Sequence, residues 1–338
     1  MPPGGCFERN KKLDKVLSQT KKVCYNTKCC SKHVQRYNSR VDCNVSGGFM
    51  NIVWITGIIL VILLGCVLVY TESRGFAVTE YKYYSDKLKA DEFKIVFLSD
   101  LHDSDLGNEN DVLLRKIDEL HPDIVVFAGD MVTSCMERSY NYEPTLRFIG
   151  RLAAKYPVYY GMGNHEERFR RQKEKFPGKY EELTGRLKAI GAPILVNEKR
   201  SIPSAGITIY GLDLEHAYYR KVKTLYIPDD YLSRIFGPVE EDTVSILLAH
   251  NPEQFDQYAK WRPDFVLSGH VHGGIVNLPV LGGVVSPQLK LFPKYDAGEF
   301  KCGKSIMILN RGIGSHTIPI RIFNKAEIVS ITLRRKRY

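Results

Sequence analysis

From Gly75 onward, short runs of consecutive apolar residues alternate with stretches whose apolar positions recur every three or four residues. A continuous apolar run of about four to eight residues reads as a buried strand, and helical recurrence reads as an amphipathic helix. On that basis "FKIVFLSD" (93–100), "DIVVFAGD" (123–130), "VYYGMGNH" (158–165), "VSILLAH" (244–250) and "DFVLSGH" (264–270) are predicted strands, each ending in polar residues. "ITIYGLD" (207–213), "SIMILN" (305–310) and "EIVSITL" (327–333) are predicted as further strands. Helices are predicted over 110–120, where Leu113, Leu114, Ile117 and Leu120 have helical spacing, and over 143–156 and 251–260. The last strands have no obvious helix between them. The pattern therefore predicts an α/β fold with added antiparallel strands, in which two sheets face each other with helices outside.

One run follows neither period. Phe49–Tyr70 passes 22 residues without a charge. As a helix it would be about 33 Å long at ~1.5 Å per residue, enough to cross a bilayer. Trp54 and Tyr70 are plausible interfacial residues near its ends. A soluble core helix is rarely apolar on every face, so this is an expected single transmembrane helix. The expected organisation is a basic, disordered cytoplasmic tail (1–48), a transmembrane helix (49–70) and one large domain (75–338).

Charge changes the picture in one respect. The chain carries a net +10, but residues 1–48 hold ten Lys and Arg against Glu8, Asp14 and Asp42, a net of +7. Only +3 is left for the rest. The large domain is thus near charge balance, which argues against a nucleic-acid partner. The charged stretch 168–188 reads as a solvated helix pair. A basic tail resists translocation, so the expected localisation is the cell membrane with the tail cytoplasmic and the large domain outside. The tail also holds Cys6, Cys24, Cys29, Cys30 and Cys43 without the paired spacing of a structural zinc site, as expected of a reduced compartment.

Chemistry concentrates where the strands end, as it does in open α/β sheets. In chain order the ends read Asp100-Leu101-His102, Gly129-Asp130, Gly163-Asn164-His165-Glu166, His250 and Gly269-His270-Val271-His272. Five of the nine histidines fall there. His270 and His272, one residue apart on an extended segment, would point to one side. Any one fragment is weak, since Gly-Asp after a strand often only caps a helix. Together they are oxygen and imidazole donors without thiolate, which suits Mn, Fe, Zn or Co.

This series resembles the calcineurin-like metallophosphoesterases, whose pattern is D-x-H, G-D, G-N-H-[DE], H and G-H-x-H. With the apolar segment and "LFPKY" (291–295), it is most similar to the membrane-associated bacterial branch, which includes UDP-2,3-diacylglucosamine hydrolases. The phosphoprotein phosphatase branch fits poorly, because Met-Val-Thr-Ser follows Asp130 where those enzymes place Asp-Arg-Gly. Ile275 stands where the membrane-associated branch often has Gln, which loosens any transfer of substrate.

The resemblance implies a four-layer αββα sandwich and two divalent transition-metal ions. One ion would be held by Asp100, His102 and His272, the other by Asn164, His250 and His270, with Asp130 bridging. It implies hydrolysis of a phosphodiester or phosphomonoester, lipid- or envelope-derived, by a hydroxide bridging the metals. His165 would then stabilise phosphoryl charge or protonate the leaving group, and Arg311 in "LNRGIG" would bind substrate phosphate. The other readings are a nuclease of the same superfamily and a catalytically inactive membrane-bound binding module.

Overall fold

The computed structural model describes residues 42–135, 141–219, 225–274, 276–278, 282–285, 292–314 and 321–337. Most of the expected tail, Ile275 and Leu291 of "LFPKY" lie outside the described residues. Helix α1 (Asp42–Arg74) begins ahead of the uncharged run and ends beyond it. Within it Asn51–Ser73, 23 residues, is long and apolar enough to cross a membrane. Its large apolar side chains, from Ile52 to Val67, are exposed.

The rest of the chain builds two six-stranded sheets. The first runs β1 (Phe76–Ser85), β14 (Ala326–Arg335), β2 (Glu92–Leu98), β3 (Ile124–Phe127), β4 (Val158–Gly161), β5 (Ile194–Leu195) in spatial order. The second runs β12 (Gly298–Cys302), β13 (Ser305–Leu309), β9 (Phe265–Ser268), β8 (Val244–Leu248), β7 (Ile207–Gly211), β6 (Glu198–Ile202). In the first sheet β2, β3, β4 and β5 are parallel neighbours, and β14 runs antiparallel to β2 while pairing parallel with β1. In the second, β7, β8, β9 and β13 are parallel, with antiparallel β6 and β12 at the edges. A separate hairpin joins β10 (Val276–Leu278) and β11 (Gly282–Val285).

Alternation of side chains explains the layers. Along β2, Phe93, Ile95 and Phe97 face a core shared with Ile246 and Leu248 of β8 and Phe265 and Leu267 of β9. The intervening Val96 and Leu98 face the opposite way, onto Leu113, Leu114 and Ile117 of α2 (Asp111–Leu120) and Leu146 and Ile149 of α3 (Glu143–Ala153). On the second sheet, Leu247 and Val266 meet Leu232 of α6 (Tyr231–Phe236) and Tyr258 of α7 (Phe255–Tyr258). Strands buried on both faces read as continuous apolar runs, which is why they stood out in the sequence. The result is the expected αββα sandwich. The 168–188 stretch forms the end of α4 (Asn164–Arg171) and α5 (Lys179–Ala189), a helix pair as predicted.

Two expectations change. The helix predicted over 251–260 is only a short α-turn, α7, between tighter turns at Pro252–Gln254 and Ala259–Trp261. Pro252 opens the first of these turns, and Arg262, in the left-handed region at φ 63, ends the last. The helix predicted over 143–156 ends at Ala153.

Candidate functional site

The chemistry-bearing residues follow the carboxyl ends of β2, β3, β4, β8 and β9. Asp100 and His102 follow β2, Asp130 follows β3, and Asn164 and His165 open α4 beyond β4. His250 follows β8, and His270 and His272 follow β9. Parallel strands from both sheets thus deliver their polar ends to one place, outside the carboxyl edge where ligands bind in such sheets.

Bringing those loops together requires residues without a side chain. A Cβ on Gly129 (φ +99) would collide with the backbone of Gly163, and one on Gly163 with the amide and carboxylate of Asp130. The glycines of Gly129-Asp130 and Gly163-Asn164-His165 are therefore the means by which the β3 and β4 loops touch.

Backbone conformation marks the same residues. Asp100 (φ 54), His102 (φ 50), Asp130 (φ 53), His270 (φ 75) and His272 (φ 54) all lie in the left-handed region. At about 1 kcal/mol each, the low end of what such a position costs a non-glycine residue, the five amount to roughly 5 kcal/mol of local strain. Domains are stable by only about 5–15 kcal/mol, so the surroundings must over-determine these conformations. Strain of this kind concentrates at functional sites.

The side chains form three buried, overlapping groups: Asp100, His102 and His272; His102, Asp130 and His165; and Asp130, His250 and His270. Within each group one donor atom per residue lies within 4.8 Å of the others. His272 Nε2 is 3.2 Å from Asp100 Oδ1, His250 Nε2 is 3.1 Å from Asp130 Oδ2, and His102 Nε2 is 3.1 Å from His272 Nε2. The backbone N–H of His270 donates to both Asp100 oxygens at 3.0 and 3.1 Å.

Buried donors and acceptors are normally satisfied, and Asn164 Oδ1 at this site is an exception. His250 Nε2 lies beside Asp130 Oδ2. His250 Nδ1 is 2.8 Å from the carbonyl oxygen of Ala128. A carbonyl only accepts, so Nδ1 carries a proton, and when the ring is neutral its lone pair is at Nε2, toward Asp130. An orphaned amide oxygen together with two carboxylates and several imidazoles is what a bound cation would satisfy. The residues present therefore fit divalent metal.

The charges agree with this. Burial alone would push Asp130 and Asp100 up, but His250 and His165 hold Asp130, and His272 and His250 hold Asp100, well below the usual carboxylate range. Burial lowers His250, yet Asp130 and Asp100 outweigh it and raise the ring to about 9, so without a cation the ring is protonated and its Nε2–H faces Asp130, the place a divalent ion would take. Burial and the neighbouring His250 charge push His270 down to about 3, and burial lowers His272 as well, so both present neutral, ligand-competent rings.

His165 differs from its neighbours in tautomer. Its Nδ1 accepts the backbone N–H of Ser134 at 2.8 Å, so the neutral ring carries its proton on Nε2. That Nε2–H lies 4.0 Å from Asp130 Oδ2 and is a donor in the site rather than a lone pair. Its ring sits in one of the three groups, with His102 and Asp130.

Arg311 sits beside this cluster, part exposed. Its Nη1 donates to Asn324 Oδ1 at 3.0 Å, and its backbone N–H donates to Glu327 at 3.0 Å.

Several residues that support the site were given no role by the sequence reading. Glu166, fully buried, accepts from the backbone N–H groups of Asp130 (3.0 Å), Met131 (3.0 Å), Val132 (3.4 Å) and Gly163 (3.0 Å), and from the Tyr160 hydroxyl (2.7 Å). Burial first, and then the Asp130 charge, push its carboxyl up to about 7. Its place at the end of Gly-Asn-His-Glu was the available signal. Asn324 donates to the carbonyls of His272 (2.7 Å) and Gly274 (2.5 Å), and buried Arg321 to those of Arg311, Gly312, Gly314 and Asn324. No local pattern announces either.

A family model described as calcineurin-like phosphoesterase matches residues 93–274. A metallophosphoesterase of Campylobacter jejuni is 32% identical, over 74% of this chain and 61% of its own length. Phosphodiesterase YaeI of Escherichia coli is 26% identical over 78% of this chain and 90% of its own. UDP-2,3-diacylglucosamine pyrophosphatase LpxG of Chlamydia trachomatis is 26% identical over 65% of this chain and 78% of its own.

Proposed function

Because the chain belongs to the calcineurin-like phosphoesterase family, we propose that it is a membrane-anchored, binuclear metal-dependent phosphoesterase acting on a phosphodiester or phosphomonoester carried by a lipid or envelope component. The observation that carries the reading is the buried cluster, with Asn164 Oδ1 left without a hydrogen bond. Asp100, His102 and His272 would hold one ion, and Asn164, His250 and His270 the other. Asp130 stands in two of the three groups and would bridge them. When bound, a pair of divalent ions stabilises phosphoryl charge and lowers the pKa of water enough for attack near neutral pH.

The chain's own residues do the rest. Glu166 fixes the loop carrying Asp130 against the loop carrying Asn164, through hydrogen bonds from both. The Ser134 amide holds the proton of His165 on Nε2, where it can donate to a phosphoryl oxygen or to the departing alkoxide. Arg311 would take a substrate phosphate oxygen with the donors that Asn324 leaves it. The lipid-linked substrate class is favoured by the membrane-crossing length of α1 and by the similarity to LpxG, whose name specifies UDP-2,3-diacylglucosamine.

The test is metal analysis and turnover of the purified full-length protein, expressed with manganese, on bis(p-nitrophenyl) phosphate and on lipid-linked pyrophosphates. Close to two metal ions per chain with hydrolysis supports the reading. Metal-free protein without turnover refutes it, and hydrolysis of DNA in preference to both substrates would make the protein a nuclease.

A further inference from the structure

Two phenylalanines outside the helix combine features that rarely occur together. Phe292 is 62% exposed at φ 48, and Phe323 is 48% exposed at φ 51. The left-handed region suits Gly, Asn and Asp, and for a bulky residue it is an outlier. Water around an aromatic ring is a second disadvantage. A surface that meets only water would be better served by asparagine at both positions.

Their neighbourhood bears on what else they meet. The hairpin β10–β11 is bonded to both segments: the Asn277 N–H donates to the Ile322 carbonyl at 3.0 Å, and the Gly283 N–H to Asp296 at 2.7 Å. The two strands of that hairpin contain no charged residue. Two residues beyond Phe323, Lys325 lies 3.6 Å from Glu72, in the last turn of α1. Between Phe323 and Lys325, Asn324 holds the carbonyls of His272 and Gly274. One short segment therefore connects the end of the apolar helix, an exposed ring and the metal-ligand loop.

We infer that the face made by Phe323, Phe292 and the β10–β11 hairpin lies in the headgroup region of the bilayer that α1 enters, so that the site opens toward the lipid surface. The inference rests on the reading of α1 as membrane-spanning and of the site as a phosphoesterase. Aromatic rings are at home at that depth, and an uncharged hairpin enters it without stripping water from charges.

The test uses full-length protein in phosphatidylcholine–phosphatidylglycerol vesicles, with lipids brominated near the glycerol backbone as contact quenchers of tryptophan. The native tryptophans are internal standards: Trp54 lies in α1, and Trp261 is buried in the second-sheet core. In a Trp54→Phe background, the emission added by Phe323→Trp should be lost on brominated lipid, while that of Trp261 persists. If Trp54 of the native chain is not quenched, the membrane reading of α1 fails first. If Trp54 is quenched and Phe323→Trp is not, this inference alone is overturned. A blue-shifted, concentration-dependent and unquenched signal would mean that another protein surface covers the face, which also overturns it. Phe323→Asn, which suits the backbone better, should keep turnover of soluble bis(p-nitrophenyl) phosphate unchanged and reduce turnover of a vesicle-embedded phosphoester. Equal loss on both substrates would count against the lipid-facing assignment.

Discussion

Glu166→Gln is the substitution whose effect can best be worked out from the hydrogen bonds. The carboxylate takes Met131 N–H, Val132 N–H and the Tyr160 hydroxyl on Oε1, and Asp130 N–H and Gly163 N–H on Oε2. Gln is nearly isosteric but keeps only one acceptor oxygen; its NH2 group donates. Whichever way the amide turns, at least two buried N–H groups face a donor. Leaving a buried donor unsatisfied costs about 1–3 kcal/mol, so the expected loss is about 2–6 kcal/mol. At roughly 2–4 °C per kcal/mol for domains approaching this size, melting should fall by about 5–20 °C. The assay is a thermal melt of metal-free protein at a pH about one unit above 7, where a carboxyl pushed up to about 7 is about tenfold more ionised than protonated. With the NH2 in the Oε2 place the orphaned groups belong to Asp130 and Gly163, and metal content and turnover should then fall with the melt. A variant that melts within about 1 °C of the parent, a change of under ~1 kcal/mol, and keeps its metal would refute the assignment of Glu166 as the tie between the two loops.

Three further outcomes are expected. Asp130→Asn should lose more turnover than Arg311→Ala and should lose metal as well, because Asp130 takes part in two of the three ligand groups while Arg311 lies beside them; metal analysis with steady-state kinetics checks this, and equal metal occupancy in both variants contradicts it. His165→Ala should retain metal and lower kcat by about 10²–10⁴, the range for a lost proton donor; an emptied site would make His165 a ligand instead. Protease added to intact protoplasts should digest the large domain and spare an epitope placed in residues 1–48; a protected domain beside a digested epitope reverses the orientation.

How much of this was legible in the sequence depended on the range of the interactions involved. The runs that became β2, β3, β4, β8 and β9 could be read because strands buried on both faces leave an unbroken apolar word, and their polar ends followed directly. The same holds for the run 49–70 inside α1, whose length and lack of charge are local properties. Donor chemistry was also local: Asp, Asn and His are what they are wherever the chain puts them, so the candidate ligands could be named before their distances were known. The edge strand β6, "EKRSI", carries exposed charges and has no buried period to detect. Strand β1 pairs with β14 from Phe76↔Ala326 onward, at the far end of the chain, and no local pattern encodes a partner that distant. Only tertiary structure placed Ser134 against His165 Nδ1 and so chose its tautomer, gathered five donors onto Glu166, and set Asn324 beneath His272. It also forced Asp100, His102, Asp130, His270 and His272 into a left-handed backbone that their own preferences do not select strongly. Composition determined which chemistry was available; packing between residues remote in sequence decided which lone pair and which proton face the site, because a hydrogen bond is directional and its partner can come from anywhere in the chain.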